Sequence, residues 1–166
     1  MKTMQNGGAD GLWSREKSIL LTRVCVDVFL VCAVLMMVSG PWMVRDFLAR
    51  IGGGRIMGAG SGAYGLLLAL GIGCGAAAVW MLWEMRLFLR RLSLGEVFTE
   101  RNVRSLRQIS WACLCGGCLT IAVGVLYALF YVLVGGAALF MMLVVRVVKN
   151  AFEAAVLMKD ELDYTV

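Results

Sequence analysis

The chain has 166 residues, of which 61% are hydrophobic and 16% are charged, and its formal net charge is +5. Soluble domains contain about 45–50% apolar and about 25% charged residues, so this composition excludes an ordinary cytosolic enzyme and also a disordered chain. The sequence has no histidine, which excludes His-ligated metal sites and Ser–His or Cys–His catalysis. The composition indicates a small integral membrane protein.

Charged residues divide the chain into long apolar stretches. Residues 28–44, 56–83 and 108–145 contain none. A membrane-spanning helix needs about 20 mostly apolar residues, so the first two stretches predict one helix each, and the third predicts two with a turn near Gly135-Gly136. The prediction is an all-α, integral membrane four-helix bundle with cytoplasmic extensions of helices 2 and 3, forming a single membrane domain over residues 1–166. Its parts are a cytoplasmic N-terminal tail (1–18), helices at about 19–44, 57–92, 99–131 and 134–158, and an acidic cytoplasmic tail (159–166).

The distribution of Lys and Arg predicts the orientation of the helices. These residues are frequent near the N-terminus, between helices 2 and 3, and near the C-terminus, whereas the loop after helix 1 carries Arg45, Arg50 and Arg55. The positive-inside rule therefore predicts that both termini and the middle loop are cytoplasmic. Because the arginines of the middle loop lie within reach of the bilayer, they favour contact with lipid headgroups over direct binding of nucleic acid.

Small residues at helical spacing give helices 2 and 3 faces on which another helix can pack closely. These residues are Gly58 with Gly62, Gly71 with Gly75, and Gly117 with Thr120 and Gly124. Packing within the bundle is the favoured interpretation. A homo-oligomer, or contact with another membrane subunit, remains open.

The segment that joins helices 2 and 3, residues 92–110, is here called the elbow. Gly95 is predicted to end helix 2 in the left-handed conformation, and Thr99 is predicted to cap helix 3 by accepting from the amide of Arg101 or Asn102. Three apolar residues fall on one stripe of helix 3: Val103, Leu106 and Ile109. Three arginines fall on another: Arg101, Arg104 and Arg107. This pattern is more typical of an interfacial helix anchored by arginines than of a dedicated ligand site.

Helix 3 also carries Cys113, Cys115 and Cys118. The last two have the C-x-x-C spacing of thiol redox sites and of half a zinc site. A thiolate is costly to form in hydrocarbon, and a buried free cysteine behaves as a small apolar residue. Structural packing is therefore favoured over a redox or metal role, and no catalytic, cofactor-binding or metal-binding residue is assigned.

Ionisable and amide side chains near the inner ends of helices 1 and 4 form a candidate intramembrane polar cluster. Its members are Arg23, Asp27, Arg146, Lys149, Asn150 and Glu153. Asp27 and Lys149 are expected at a similar depth, so that they could meet across helices 1 and 4. Near the interface an orienting salt-bridge network is favoured over a proton relay.

The chain ends in acidic residues that could pair with the elbow arginines, and the two segments together carry a family resemblance. The run from Gly95 to Ile109 resembles the G-x-x-F-[ST]-x-x-N-[VA]-x-x-L-[RK]-x-I elbow of the DUF2975 family of small four-helix bacterial membrane proteins. The ending 157–166 is similar to that family's L-x-x-E-N-D-L-T-[IV] terminus, with Leu162 in place of Asn and Tyr164 in place of Leu. The resemblance implies a bacterial inner-membrane location, implies no catalytic residues, and suggests a helix-turn-helix regulator as a partner.

The leading functional hypothesis is a non-enzymatic regulatory, sensor or interaction subunit that works through the elbow and the tail. Its candidate interaction residues are Phe98, Thr99, Asn102, Leu106, Arg107, Asp160, Glu161, Asp163 and Thr165. The alternatives are an oligomeric small transporter or channel component and, less favoured, a thiol oxidoreductase that uses Cys115 and Cys118. The expected partners are the lipid bilayer, a regulator or another membrane subunit, and a second copy of the chain; no cofactor is expected.

Overall fold

A computed structural model describes residues 7–51, 61–97 and 99–164. The described chain forms four α-helices: α1 (Gly7–Ile51), α2 (Ser61–Ser93), α3 (Glu100–Leu126) and α4 (Phe130–Tyr164). Each helix is long and apolar enough to cross a membrane. Even the shortest, α3 with 27 residues, is about 40 Å long at about 1.5 Å per residue. The predicted all-α fold, with four helices long and apolar enough to span a membrane, is therefore confirmed.

The helices run alternately up and down, and in the described chain their backbones contact only their neighbours in sequence: α1 with α2, α2 with α3, and α3 with α4. One end of the bundle holds the elbow and is called the elbow end. The other holds the α3–α4 turn and is called the hairpin end. Side chains join more distant helices at both ends. Phe47 of α1 meets Tyr131 of α4 at the hairpin end, with ring centroids 6.0 Å apart, and Phe88 of α2 meets Phe152 of α4 toward the elbow end at 6.1 Å.

The ends of α1 and α4 differ from the prediction. α1 begins at Gly7, within the predicted 18-residue tail, and continues through Pro41 to Ile51. α4 continues to Tyr164, through most of the predicted acidic tail. The predicted ends followed the disappearance of apolar residues, but a helix can continue with charged residues once it leaves the apolar stretch.

The turn between α3 and α4 also lies earlier than predicted. α3 ends at Leu126 and α4 begins at Phe130, so Gly135 lies inside a helix. A Cβ atom on Gly135 would come within 2.5 Å of Ile121 Cγ1 and 2.8 Å of the carbonyl oxygen of Gly117. Gly135 is thus a close-packing residue between α3 and α4 rather than a turn residue.

The distribution of apolar side chains is that of a protein surrounded by lipid. Leu133 is 74% exposed, Phe140 is 65% exposed and Trp42 is 72% exposed, whereas Asn102 is completely buried. An aqueous protein rarely leaves so many large apolar side chains in contact with solvent. The exposed faces of the four helices therefore fit the hydrocarbon of a bilayer.

A cluster of buried apolar residues lies at the hairpin end. Ala63, Leu67, Val123 and Tyr127 are buried there against one another. The Tyr127 hydroxyl donates a hydrogen bond of 2.7 Å to the carbonyl oxygen of Ala63. This bond ties the start of α2 to the end of α3.

Candidate interaction site at the elbow

The elbow begins with a glycine turn that ends α2. Gly95 has φ +82°, the only positive φ among the described residues. Its amide donates to the carbonyl of Leu92 at 3.2 Å, and the amide of Glu96 donates to the carbonyl of Arg91 at 3.2 Å. These two bonds form a Schellman motif. The predicted left-handed end of helix 2 is confirmed.

Asn102 fixes the elbow chain against the first turn of α3. Its side-chain amide donates to the carbonyl oxygen of Glu96 at 2.6 Å and to that of Val97 at 2.8 Å. Asn102 itself has no solvent exposure, so its amide depends on these two carbonyls for hydrogen bonds. The sequence identified Asn102 as a candidate partner contact, but in the structure its side chain is buried and bonds the elbow backbone. These two hydrogen bonds are here called the Asn102 clamp.

Thr99 occupies the predicted N-cap position, with extended backbone angles. Its carbonyl oxygen accepts from the amides of Asn102 at 3.0 Å and Val103 at 3.4 Å. Its side chain makes no capping hydrogen bond, so that part of the prediction is wrong. Within the part of the chain that is described, Thr99 Oγ1 and Asn102 Oδ1 are buried and have no hydrogen-bond partner.

The apolar stripe of α3 faces inward, as its spacing indicated. Val103, Leu106 and Ile109 are all buried. Leu106 is therefore a packing residue of the bundle and is not available to a partner.

Polar contacts along α2 and α3 hold the elbow end together. Arg91 Nη1 donates to Ser105 Oγ at 2.8 Å and to the carbonyl oxygen of Arg101 at 3.3 Å. The Gln108 amide, oriented with its NH₂ toward Glu84, donates to Glu84 Oε1 at 2.6 Å. Sequence reasoning missed Arg91 and Glu84. Both residues lie in the last turns of the helix that precedes the elbow. That position was the feature of the sequence that could have identified them as contacts of α3.

The three elbow arginines lie on the outer side of α3. Arg101, Arg104 and Arg107 are exposed and line a cavity of about 500 Å³ between α3 and α4. Glu153 of α4 lies on the opposite wall. The acidic residue that faces these arginines is therefore Glu153, which lies in α4 before the predicted acidic tail.

The remaining predicted interaction residues lie at the edge of what the structure describes. Glu161 is exposed near the end of α4. Phe98 and Thr165, and the side chains of Asp160 and Asp163, lie outside the described residues. Pairing of the tail with the elbow stays a prediction.

The predicted polar cluster is divided between two helix pairs. Asp27 Oδ1 lies 2.9 Å from Arg86 Nε of α2, close enough for an ion pair although the angle is not that of a hydrogen bond. Lys149 pairs with Glu153 one turn along α4, at 2.9 Å. The backbones of α1 and α4 are not neighbours, so the structure gives Asp27 and Lys149 separate partners. Arg23 lies on α1, one turn before Asp27, and is exposed.

Arg146 and Asn150 lie beside Lys149 on α4. Both are exposed, and both line a second cavity, of about 320 Å³, that also includes Arg107 of α3. The structure thus brings the helix 4 part of the predicted cluster next to the elbow arginines, an arrangement that the sequence did not predict.

The six cysteines are free thiols in the structure. Cys113 Sγ donates to Met81 Sδ of α2 at 3.4 Å, whereas Cys115 and Cys118 are exposed. Cys74 lies 3.6 Å from Thr120 Oγ1 across the α2–α3 interface. Among the residues described, Cys, Asp and Glu side chains do not gather in groups of three or more that would surround a metal ion.

Comparison with known proteins assigns the family. No curated protein and no solved structure matches the chain. A family model described as a protein of unknown function, DUF2975, matches residues 13–166. The match covers the elbow and all four helices except the start of α1, and on this basis the chain belongs to the DUF2975 family.

Proposed function

We propose that the chain is a non-enzymatic membrane subunit that binds a protein partner through the elbow. The observation that supports this most directly is the burial of Asn102, which makes two hydrogen bonds to the elbow backbone. A short connection between two helices needs no such clamp merely to turn. The clamp makes the elbow a rigid support for groups on its surface.

The groups presented on that support are cationic. Arg101 and Arg104 are exposed, and they follow one another by three residues on the outer side of α3. Opposite charge on a partner would steer association and fix its orientation. We therefore propose an acidic surface as the binding partner, with a helix-turn-helix regulator as the leading candidate.

The proposed setting is the inner membrane of a bacterium, with the elbow and both ends of the chain in the cytoplasm. The excess of Lys and Arg at the elbow end over the hairpin end supports this orientation. In that setting the elbow is accessible to a soluble regulator.

Co-purification tests the proposal. The tagged full-length chain, solubilised in detergent, is expected to retain a helix-turn-helix regulator that is co-expressed with it. Arg101→Glu/Arg104→Glu should abolish retention because it reverses the surface charge, and Asn102→Ala should reduce it because the support loosens. Arg45→Glu, an exposed arginine at the hairpin end, is the matched control and should retain the regulator. No retention by the wild type, or equal retention by all variants, would contradict the proposal.

A second candidate is a subunit of an oligomeric transporter or channel. It is favoured by α1, whose backbone contacts only α2 among the described helices and which leaves Phe29, Leu35 and Val38 exposed. A face of this kind fits a second copy of the chain as well as it fits lipid. Native mass spectrometry in detergent separates the two: only monomer would remove this candidate, whereas a defined oligomer that Leu35→Trp disrupts would support it.

A further inference from the structure

A polar cavity lies between α3 and α4 at the elbow end of the bundle. Its volume is about 320 Å³, and it is lined by Arg107, Ser110, Trp111, Arg146, Lys149 and Asn150. Three of these residues lie on one face of α3 and three on one face of α4, in each case at positions i, i+3 and i+4, and each side chain carries an N–H or O–H group. The cavity is therefore walled by hydrogen-bond donors.

The cavity carries excess positive charge. Lys149 is partly neutralised by Glu153 at 2.9 Å, and its side chain is only 17% exposed. The guanidinium groups of Arg107 and Arg146 make no hydrogen bond or ion pair in the described part of the chain. Three cations thus line the space, whereas Glu153, which pairs with Lys149 and also interacts electrostatically with Arg107, lines the neighbouring cavity. A net positive charge is left for an anionic ligand.

The positions of the charged residues on α3 and α4 indicate how deep in the membrane the cavity lies. Arg107 is the last charged residue of α3, and Arg146 is the first charged residue of α4. Toward the hairpin end both helices continue without a charged residue, through Gln108–Leu126 on α3 and Phe130–Val145 on α4. Trp111, half exposed at the cavity edge, is the residue type that concentrates at the boundary between headgroups and hydrocarbon.

We propose that this cavity binds the phosphate of an anionic phospholipid in the leaflet at the elbow end. Two arginines offer the paired N–H groups that fit phosphate oxygens. Lys149 and Ser110 supply further donors, and the apolar surface beyond Trp111 receives the acyl chains. Basic pockets between helices at a membrane surface are a known way to select anionic lipids. The proposal is independent of the protein partner proposed above.

Native mass spectrometry of the purified full-length chain tests the proposal, with phosphatidylglycerol, phosphatidylcholine and inorganic phosphate as the probes. The wild type should bind phosphatidylglycerol about tenfold more tightly than phosphatidylcholine. Arg107→Gln/Arg146→Gln should remove this preference because it removes two charge-assisted contacts. Arg23→Gln/Arg90→Gln is the matched control: it removes the same charge from exposed positions at the same end of the bundle and should keep the preference.

A second measurement does not depend on the folding of the arginine variants. Brominated phosphatidylglycerol should quench tryptophan fluorescence of the wild type more strongly than brominated phosphatidylcholine, and Trp111→Phe should remove the difference. Equal affinity of the wild type for the two lipids, or an equal loss of preference in both arginine variants, would overturn the proposal. Binding of inorganic phosphate as tight as that of phosphatidylglycerol would assign the cavity to free phosphate and would overturn the lipid assignment.

Discussion

The side-chain amide of Asn102 lies 2.6 Å from the carbonyl oxygen of Glu96, and this bond joins the first turn of α3 to the chain that leaves α2. The same amide bonds the next carbonyl, that of Val97. One fully buried side chain thus serves two backbone acceptors.

Asn102→Ala should therefore destabilise the elbow. It removes two part-buried hydrogen bonds to the elbow backbone, and at about 0.5–1.5 kcal/mol for each bond this should lower the free energy of unfolding by about 1–3 kcal/mol. Asn102→Asp should be at least as damaging, because a carboxylate of the same shape repels both carbonyls. Thermal unfolding in detergent measures the effect, with the exposed Asn150→Ala as control. If Asn102→Asp and Asn150→Ala unfold at the same temperature as the wild type, the clamp is not important for stability.

Tyr127→Phe should weaken the hairpin end. The Tyr127 hydroxyl donates to the carbonyl of Ala63 at 2.7 Å, and burial raises the pKa of this phenol, so the donor stays protonated at neutral pH. Loss of one such bond should lower the free energy of unfolding by about 0.5–1.5 kcal/mol. Tyr131→Phe is the control, since the Tyr131 ring packs on Phe47 but its hydroxyl has no hydrogen bond in the described chain. Equal unfolding temperatures for the two variants would contradict the prediction.

Two adjacent glycines of α4 should respond differently to the same substitution. Gly135→Ala places a Cβ 2.8 Å from the backbone oxygen of Gly117, whereas a Cβ on Gly136 meets no atom within 4 Å. Gly135→Ala should thus destabilise the α3–α4 pair by about 1–3 kcal/mol. Gly136→Ala should be neutral or slightly stabilising, because alanine is the better helix former. Chemical denaturation in mixed micelles compares the two, and the opposite order would show that the α3–α4 packing is wrong.

The ion pair between Asp27 and Arg86 should be weakly coupled. Their side chains are 40% and 41% exposed, and pairs of this exposure contribute about 0.2–1 kcal/mol. A double-mutant cycle with Asp27→Asn and Arg86→Gln should give a coupling energy in this range. The matched cycle uses Asp27→Asn with Arg146→Gln and should give none. A larger coupling energy for Asp27 with Arg146 than for Asp27 with Arg86 would show that α1 and α4 are in contact there, as the sequence suggested.

The sequence predicted the parts of this fold that depend on local chemistry. The long stretches without charged residues predicted the four helices, and Gly95 predicted where α2 ends. The position of the α3–α4 turn was missed because Gly135 is needed for close packing, and a glycine used for packing has the same appearance in sequence as one used for a turn. Helix neighbours were also missed. Asp27 and Lys149 were expected at one depth, but depth does not determine which helices are adjacent.

The candidate site was predictable in its residues but not in their roles. Asn102 and Leu106 were selected as partner contacts, yet both are buried, because helical spacing does not reveal which stripe faces the bundle. Arg107 and Arg146 were assigned to separate groups. Only the antiparallel packing of α3 on α4 brings them to one cavity.

The orientation of the bundle in the membrane is the basis of the partner proposal, because it decides whether the elbow faces the cytoplasm, and cysteine labelling in intact cells measures it directly. In a variant with its six native cysteines replaced by alanine, single cysteines are placed at Glu96 in the elbow and at Ala49 near the hairpin end, both exposed. We predict that a membrane-impermeant maleimide labels Ala49→Cys in intact cells and labels Glu96→Cys only after the membrane is opened. Labelling of Glu96→Cys in intact cells, with Ala49→Cys protected, would contradict the account.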